Sequence, residues 1–183
     1  MGLECIAAPP ALPCSPNSAT YPAKNELKDA FGRLPSGVVI VTSISTDGRF
    51  TGATVSSFSS LSFDPPLVVL GLAQRSKTLQ AILQSTRFAA HIVSEPNRAL
   101  ALRFASDRDD KFEGLSSTLS QNGVPLLPGF NTSIECILDS SQTAGDHQLL
   151  IGRVLSTAID DEVGSPVAWF RRDFHSCLPF AAA

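Results

Sequence analysis

The chain has 183 residues, 43% hydrophobic and 17% charged, with a formal net charge of -3 and a pI of about 5.5. That length supports one domain with a real core, and with no lysine/arginine cluster to release counterions, nucleic-acid binding is excluded as its main business. The four cysteines, Cys5, Cys14, Cys136 and Cys177, form no C-x-x-C pair, which argues for free thiols over a zinc site or a disulfide framework.

Residues 1–23 are rich in Pro, Ala and Ser without a sustained period, so a flexible arm is expected ahead of a domain at 24–183. "NELKDAFGRL" carries Leu27, Ala30, Phe31 and Leu34 at helical spacing and predicts a helix stopped by Pro35. "GVVIVTSIST" predicts a strand, turned by Asp47-Gly48 into "RFTGATV". After Pro65-Pro66 come a buried strand "PLVVLGLA" and a short helix "KTLQAIL" with Ser76 as its cap. "RFAAHIVS" reads as a strand and "PNRALALRFA" as a helix with Pro96 near its first turn, while residues 106–130 read as turn-rich connection. "TSIECILDS", "HQLLIGRVLSTAI" and "PVAWFRR" complete the chain as three strand-like runs. Adjacent strands joined by short turns, with helices inserted singly, favour a mainly β, antiparallel barrel with a few peripheral helices over a doubly wound sheet. No uninterrupted apolar run reaches the roughly 18 residues of a membrane span, and the N-terminus lacks the basic region of a signal peptide, so a cytoplasmic protein is expected.

Neither G-x-G-x-x-G nor G-x-x-x-x-G-K-[ST] occurs, so any nucleotide must be held by other means. Thr51–Ser62, "TGATVSSFSSLS", is dense in hydroxyls around Phe58 and ends at a strand, a surface suited to the edge of a flat heterocycle, or else an ordinary polar loop. In "AQRSKTLQAIL", Arg75 and Lys77 flank a helix N-terminus at Ser76, which suits phosphate or, more plainly, a solvated basic loop. Asp107, Asp109 and Asp110 alternate with Arg108 and Lys111 and read as a self-compensating surface loop. His91 lies within an apolar strand and reads as a satisfied core histidine. The corner "AGDHQLLIGRV" places Gly145, Asp146 and His147 directly before a strand, one of only three histidines in the chain. The histidines have no metal-ligand spacing and no nucleophilic triad can be read, so neither a catalytic side chain nor a metal site is assigned.

From Phe31 to Phe174 the segments "FGRLPSGVVIVTS", "DGRFTGATVSSFSSLSFDPPLVV", "RSKTLQAI", "RFAAHIVS", "LALRFAS", "KFEGL", "GVPLL", "IECIL" and "AGDHQLLIGRV" follow in order. That series resembles the flavin reductase family, the small NAD(P)H:flavin oxidoreductases that supply reduced flavin to two-component monooxygenases. The resemblance implies an antiparallel Greek-key split β-barrel, the FMN-binding split barrel, as a homodimer. It implies that Thr54, Val55, Ser56, Ser57 and Ser62 line the isoalloxazine and that Ser76 and Lys77, with Arg75 beside them, approach the flavin phosphate. Phe104 and Lys111 would border the flavin, and Gly145, Asp146 and His147 would form the NADH or NADPH side. The cofactors implied are FMN or FAD and a nicotinamide dinucleotide, with a monooxygenase receiving reduced flavin by diffusion; neither nucleic acid nor membrane is a partner.

Similar chains usually carry Asn at the position of His91 and a Tyr-Gly pair where this one reads "AWFRRDF". Arg153, Arg171 and Arg172 are candidates for a 2′-phosphate, which leaves NADH against NADPH open. Two other functions also stay open on such a barrel: a non-enzymatic flavin-binding or electron-transfer module, and an oxidoreductase that retains its flavin and acts on a bound organic substrate.

Overall fold

The computed structural model describes residues 21–162 and 164–179, so most of the expected arm, with Cys5 and Cys14, lies outside the described residues. The elements run α1 (Lys24–Phe31), β1 (Ser36–Gly37), β2 (Val39–Ile44), β3 (Phe50–Val55), β4 (Ser59–Phe63), β5 (Pro66–Ala73), α2 (Lys77–Ser85) and β6 (Arg87–Ile92). A 3₁₀ turn (Glu95–Asn97) then leads into α3 (Arg98–Ala105), and β7 (Thr118–Leu119), β8 (Pro125–Leu126), β9 (Thr132–Ala144), β10 (His147–Ile159), β11 (Val167–Phe170) and β12 (Asp173–Ser176) follow. Among the described residues no helix is long and apolar enough to cross a membrane.

Seven strands form one antiparallel sheet in the order β3-β2-β6-β9-β10-β5-β4, and β1-β11-β12 form a second, smaller sheet. The large sheet curls until β3, at one edge, comes beside β5 near the other. Its curvature follows the bulges in the β9–β10 ladder at Ile151/Gly152 and Val154/Ser156. At Gly152 the curl is tight enough that a Cβ would stand 2.4 Å from Phe88 Cζ.

Strand periodicity sorts the core. Along β5, Val68, Leu70 and Leu72 alternate inward to meet Val39, Val41, Val55, Phe88, Ala90, Cys136 and Leu150, with Leu79 and Ile82 of α2 closing the cluster. The other face of β2 presents Ile40, which with Val38, Val93, Ala101, Phe104, Phe130 and Val167 makes a second cluster under α3 and the small sheet. Burial on both faces explains why β2 is a continuous apolar run rather than an alternating one. Each such Val, Leu, Ile or Phe contributes roughly 1.5–3 kcal/mol relative to exposure.

His91 is fully buried and satisfied, as its apolar strand predicts. Thr42 Oγ1 donates its one proton to Pro125 O at 2.6 Å, so it accepts from His91 Nε2 at 3.2 Å, and Ser133 Oγ donates to Nδ1 at 2.9 Å. Three boundaries differ from the sequence reading. The first helix ends at Phe31, ahead of Gly32, rather than at Pro35. The end of the hydroxyl-rich segment, from Ser59, forms strand β4, because pairing with β5 outweighs serine's weak strand preference. The run "PVAWFRR" breaks at Phe170 into a turn and a further strand.

Candidate functional site

Where the two edges of the curled sheet approach, a cleft of about 610 Å³ opens between β3, Ser56-Ser57, the end of β5, the first turn of α2 and the loop 106–112, with His147 at its lip. That volume is within the range of small-molecule sites. Its floor follows from a gap in strand pairing. The β4–β5 ladder ends at Ser59–Val69, so the backbone of Gly71 has no strand partner on that side. Ser57 fills the place: its Oγ accepts from Gly71 N and donates to Gly71 O, each at 3.0 Å. A Cβ on Gly71 would meet Ser57 Oγ at 3.6 Å and His147 Cδ2 at 4.0 Å, so the absent side chain leaves a flat backbone surface between serine and imidazole.

One wall is held by α3. Phe104, 1% exposed, packs directly against Gly52, where a Cβ would come within 2.5 Å of its ring. Lys111 reaches over this contact and donates to Phe104 O at 2.9 Å and Gly52 O at 3.2 Å, and its burial lowers its pKa from the usual lysine range. Arg103 fastens the loop that carries Lys111, its Nη2 donating to Asp110 O at 2.7 Å and to Glu113 O at 2.6 Å.

The opposite wall is the N-terminus of α2. Ser76 Oγ accepts from Leu79 N at 3.4 Å, capping the helix, while its own N–H bonds to Ala73 O at 2.8 Å. Unpaired first-turn N–H groups together with Arg75 and Lys77 make this end attractive to an anion. Lys77 pairs with the Asp109 carboxylate across the cleft mouth, and that contact lowers the pKa of Asp109.

His147 stands opposite Ala73 in the β5–β10 ladder. Gly145 takes φ +62°, which closes the β9–β10 turn, and Gln74 ties the turn down through its side chain to Gly145 O and its backbone N to Asp146 O, both at 3.0 Å. Asp146 is exposed and accepts from His147 Nδ1 at 2.7 Å, a contact that lowers the carboxyl pKa. The pair orients the ring and leaves Nε2 toward the cleft as an acceptor whenever the ring is neutral.

Of the residues predicted from sequence, Thr54, Val55, Ser56, Ser57, Ser76, Lys77, Phe104, Lys111 and His147 all line this cleft, with Arg75. Three of them support the wall more than they face the lumen. Thr54 donates its hydroxyl to Ala101 O at 2.7 Å, Val55 is 9% exposed in the barrel core, and Phe104 is buried. Ser62 is placed on β4 opposite Leu67, away from the lining, and Gly145 and Asp146 stand behind His147. Gly71, Gly52 and Arg103 carry the geometry without having been singled out, and Asp109, read as part of a self-compensating loop, pairs with Lys77 of α2 instead, while Arg108 and Asp110 do pair within the loop. A lone glycine inside the strand-like run "PLVVLGLA" was the available signal for close approach.

Residues 31–177 match the flavin reductase like domain. The chain belongs to the flavin reductase family. This flavin reductase family member is 36% identical over 157 residues to the NADH:riboflavin 5′-phosphate oxidoreductase of Streptomyces pristinaespiralis, covering 85% of this chain and 89% of that one. Its fold is similar to nitrilotriacetate monooxygenase component B from Mycobacterium thermoresistibile, with TM-score 0.81, 29% identity and coverage of 87% and 89%. It is also similar to the NADH:FAD oxidoreductase SgcE6 of Streptomyces globisporus, solved with NAD and FAD fragments, with TM-score 0.79, 26% identity and coverage of 86% and 94%.

Proposed function

We propose that the chain is an NADH-dependent flavin reductase that takes FMN as a substrate and hands reduced flavin to a monooxygenase. The observation that carries this reading is the Gly71–Ser57 floor, flanked on one side by the anion-ready end of α2 and on the other by His147. A flat ring fits a glycine backbone, a phosphate fits a helix N-terminus with two cations, and a nicotinamide carboxamide N–H fits an imidazole acceptor. The relatives named for NADH, riboflavin 5′-phosphate and a monooxygenase component support the same reading.

The two bound substrates carry the chemistry themselves, a hydride passing from nicotinamide to isoalloxazine. The chain supplies position and field. Ser56 and the backbone around Thr54 and Val55 present donors along one edge of the cleft, Ser57 being spent on Gly71, and Lys111 adds positive charge beside it. Lys77 and Ser76 hold the phosphate end, and His147, fixed by Asp146, holds the nicotinamide end. No side chain is needed to take up or release a proton in that transfer.

The reading includes a homodimer in the cytoplasm. Phe63, 96% exposed, with Leu61 on the same edge strand and Ile159 at the end of β10, are apolar surfaces that a second copy would cover. Purified protein should oxidise NADH when FMN is added and scarcely without it. A tightly held yellow cofactor with no NADH turnover would overturn the proposal.

A further inference from the structure

A second cleft, of about 300 Å³, lies between the end of α1 and the β11–β12 turn and shares no lining residue with the first. It gathers Lys28, Arg33, Arg171 and Arg172 around one carboxylate, Asp29, in a chain whose net charge is -3. Asp29 reaches Arg172 only at 3.8 Å, and among the described residues Lys28, Arg33 and Arg171 have no carboxylate within 4.0 Å. Cations beside the carbonyl end of a helix are ordinary, but Lys28 in the last turn of α1 already meets that need.

The turn itself is the less expected feature. Phe170 pairs with Asp173, so Arg171 and Arg172 are the two loop residues of a hairpin, at φ 50° and 65°. Both positions are in the left-handed region, where Asn-Gly or Gly-Gly is the usual choice. The Arg171 N–H bonds to Gly32 O at 2.8 Å, which pins the turn against α1. Two strained, consecutive arginines, the Arg171 guanidinium 5.4 Å from the centre of the Phe170 ring, line a concave surface together with two further cations, an arrangement suited to a group with several anionic oxygens.

We propose that this cleft is a binding site for a phosphate-bearing anion, held by the Arg171 and Arg172 guanidinium groups on one side and by Lys28 and Arg33 on the other. The site stands apart from the flavin reading and does not depend on it. The group is either inorganic, as in pyrophosphate, or the 2′-phosphate of an adenine nucleotide; both present the same chemistry to the guanidinium forks.

The test is the thermal midpoint of the full chain titrated with inorganic pyrophosphate at constant ionic strength. The wild type should show a saturable rise. Arg171→Gly/Arg172→Gly should start higher by about 2–4 °C, because turn strain is relieved, and should bind pyrophosphate at least tenfold more weakly. Should the glycine variant melt lower, Arg33→Ala, which leaves the turn intact, reads the affinity instead, again with a severalfold loss. Full affinity in both variants would overturn the proposal, as would an equal rise with sodium chloride. A response lost in Lys77→Ala but kept in the double variant would place the anion at α2 and also overturn it. Adenosine 2′-phosphate run in parallel separates the sources: tighter binding that depends on the arginine pair assigns the site to a nucleotide, and preference for pyrophosphate assigns it to the inorganic group.

Discussion

Lys77, in the first turn of α2, and Asp109, in the loop after α3, form an ion pair across the mouth of the larger cleft. If Lys77 takes the flavin phosphate, as proposed, ligand and carboxylate compete for one ammonium group. Asp109→Asn should tighten FMN binding by roughly two- to fivefold, the scale of an exposed ion pair. Riboflavin, which lacks the phosphate, should bind both proteins equally. Fluorescence-quenching titration reads both constants; an equal gain for riboflavin would mean that Asp109 merely obstructs the cleft.

His147→Ala should raise the KM for NADH severalfold while moving that for FMN much less, because the ring is at the lip beside Ala73 and not on the α2 wall. Asp146→Asn should do the same more mildly, since it frees the ring to rotate without removing it. Steady-state kinetics with each substrate varied in turn will show the split. Parallel rises in both constants would remove His147 from the nicotinamide side.

Two glycine substitutions should behave differently. At Gly52 a Cβ would stand 2.5 Å from the Phe104 ring and 3.1 Å from Val41 O, so Gly52→Ala should cost about 1–3 kcal/mol of stability. At Gly71 the nearest atom is Ser57 Oγ at 3.6 Å, an ordinary contact, so Gly71→Ala should fold normally and instead raise the KM for FMN by placing a methyl group on the floor. Urea denaturation and kinetics on the same two proteins compare these outcomes.

Burial pushes the pKa of His91 down to about 4 from the ordinary 6.5. The unfolded chain therefore takes the proton first. The contribution of the neutral ring is intact above about pH 6.5 and is lost as pH falls toward 4, on the order of 3 kcal/mol in total. His91→Asn should flatten the fall in unfolding free energy across that window. An unchanged slope would assign the acid sensitivity to other groups.

The strand "PLVVLGLA" and the helix "KTLQAIL" were legible because their signals are local: an apolar run after paired prolines and a serine cap ahead of an amphipathic run keep their meaning wherever the chain takes them. The antiparallel barrel was legible from strand period and turn residues. Less legible were the roles of Thr54, Val55 and Phe104, whose side chains are directed to Ala101, the barrel core and Gly52. Alternation along a strand reports which residues share a face, but not which face meets the ligand.

The sequence by itself determined the three helices, the main strands and the family of the chain, since propensity, periodicity and motif spacing are all written within short windows. It did not determine the short strands β4, β7, β8 and β12, or the exposure of Phe31 at the end of α1 and of Leu34 beyond it. Only the tertiary structure decided that Gly71 meets Ser57, that Lys77 faces Asp109 and that Arg171 and Arg172 stand over α1. Those pairings depend on long-range neighbours in the sheets, β2 beside β6, β6 beside β9 and β10 beside β5 in the large one, and β1 beside β11 in the small one. They are fixed by closure of the whole barrel rather than by any local preference.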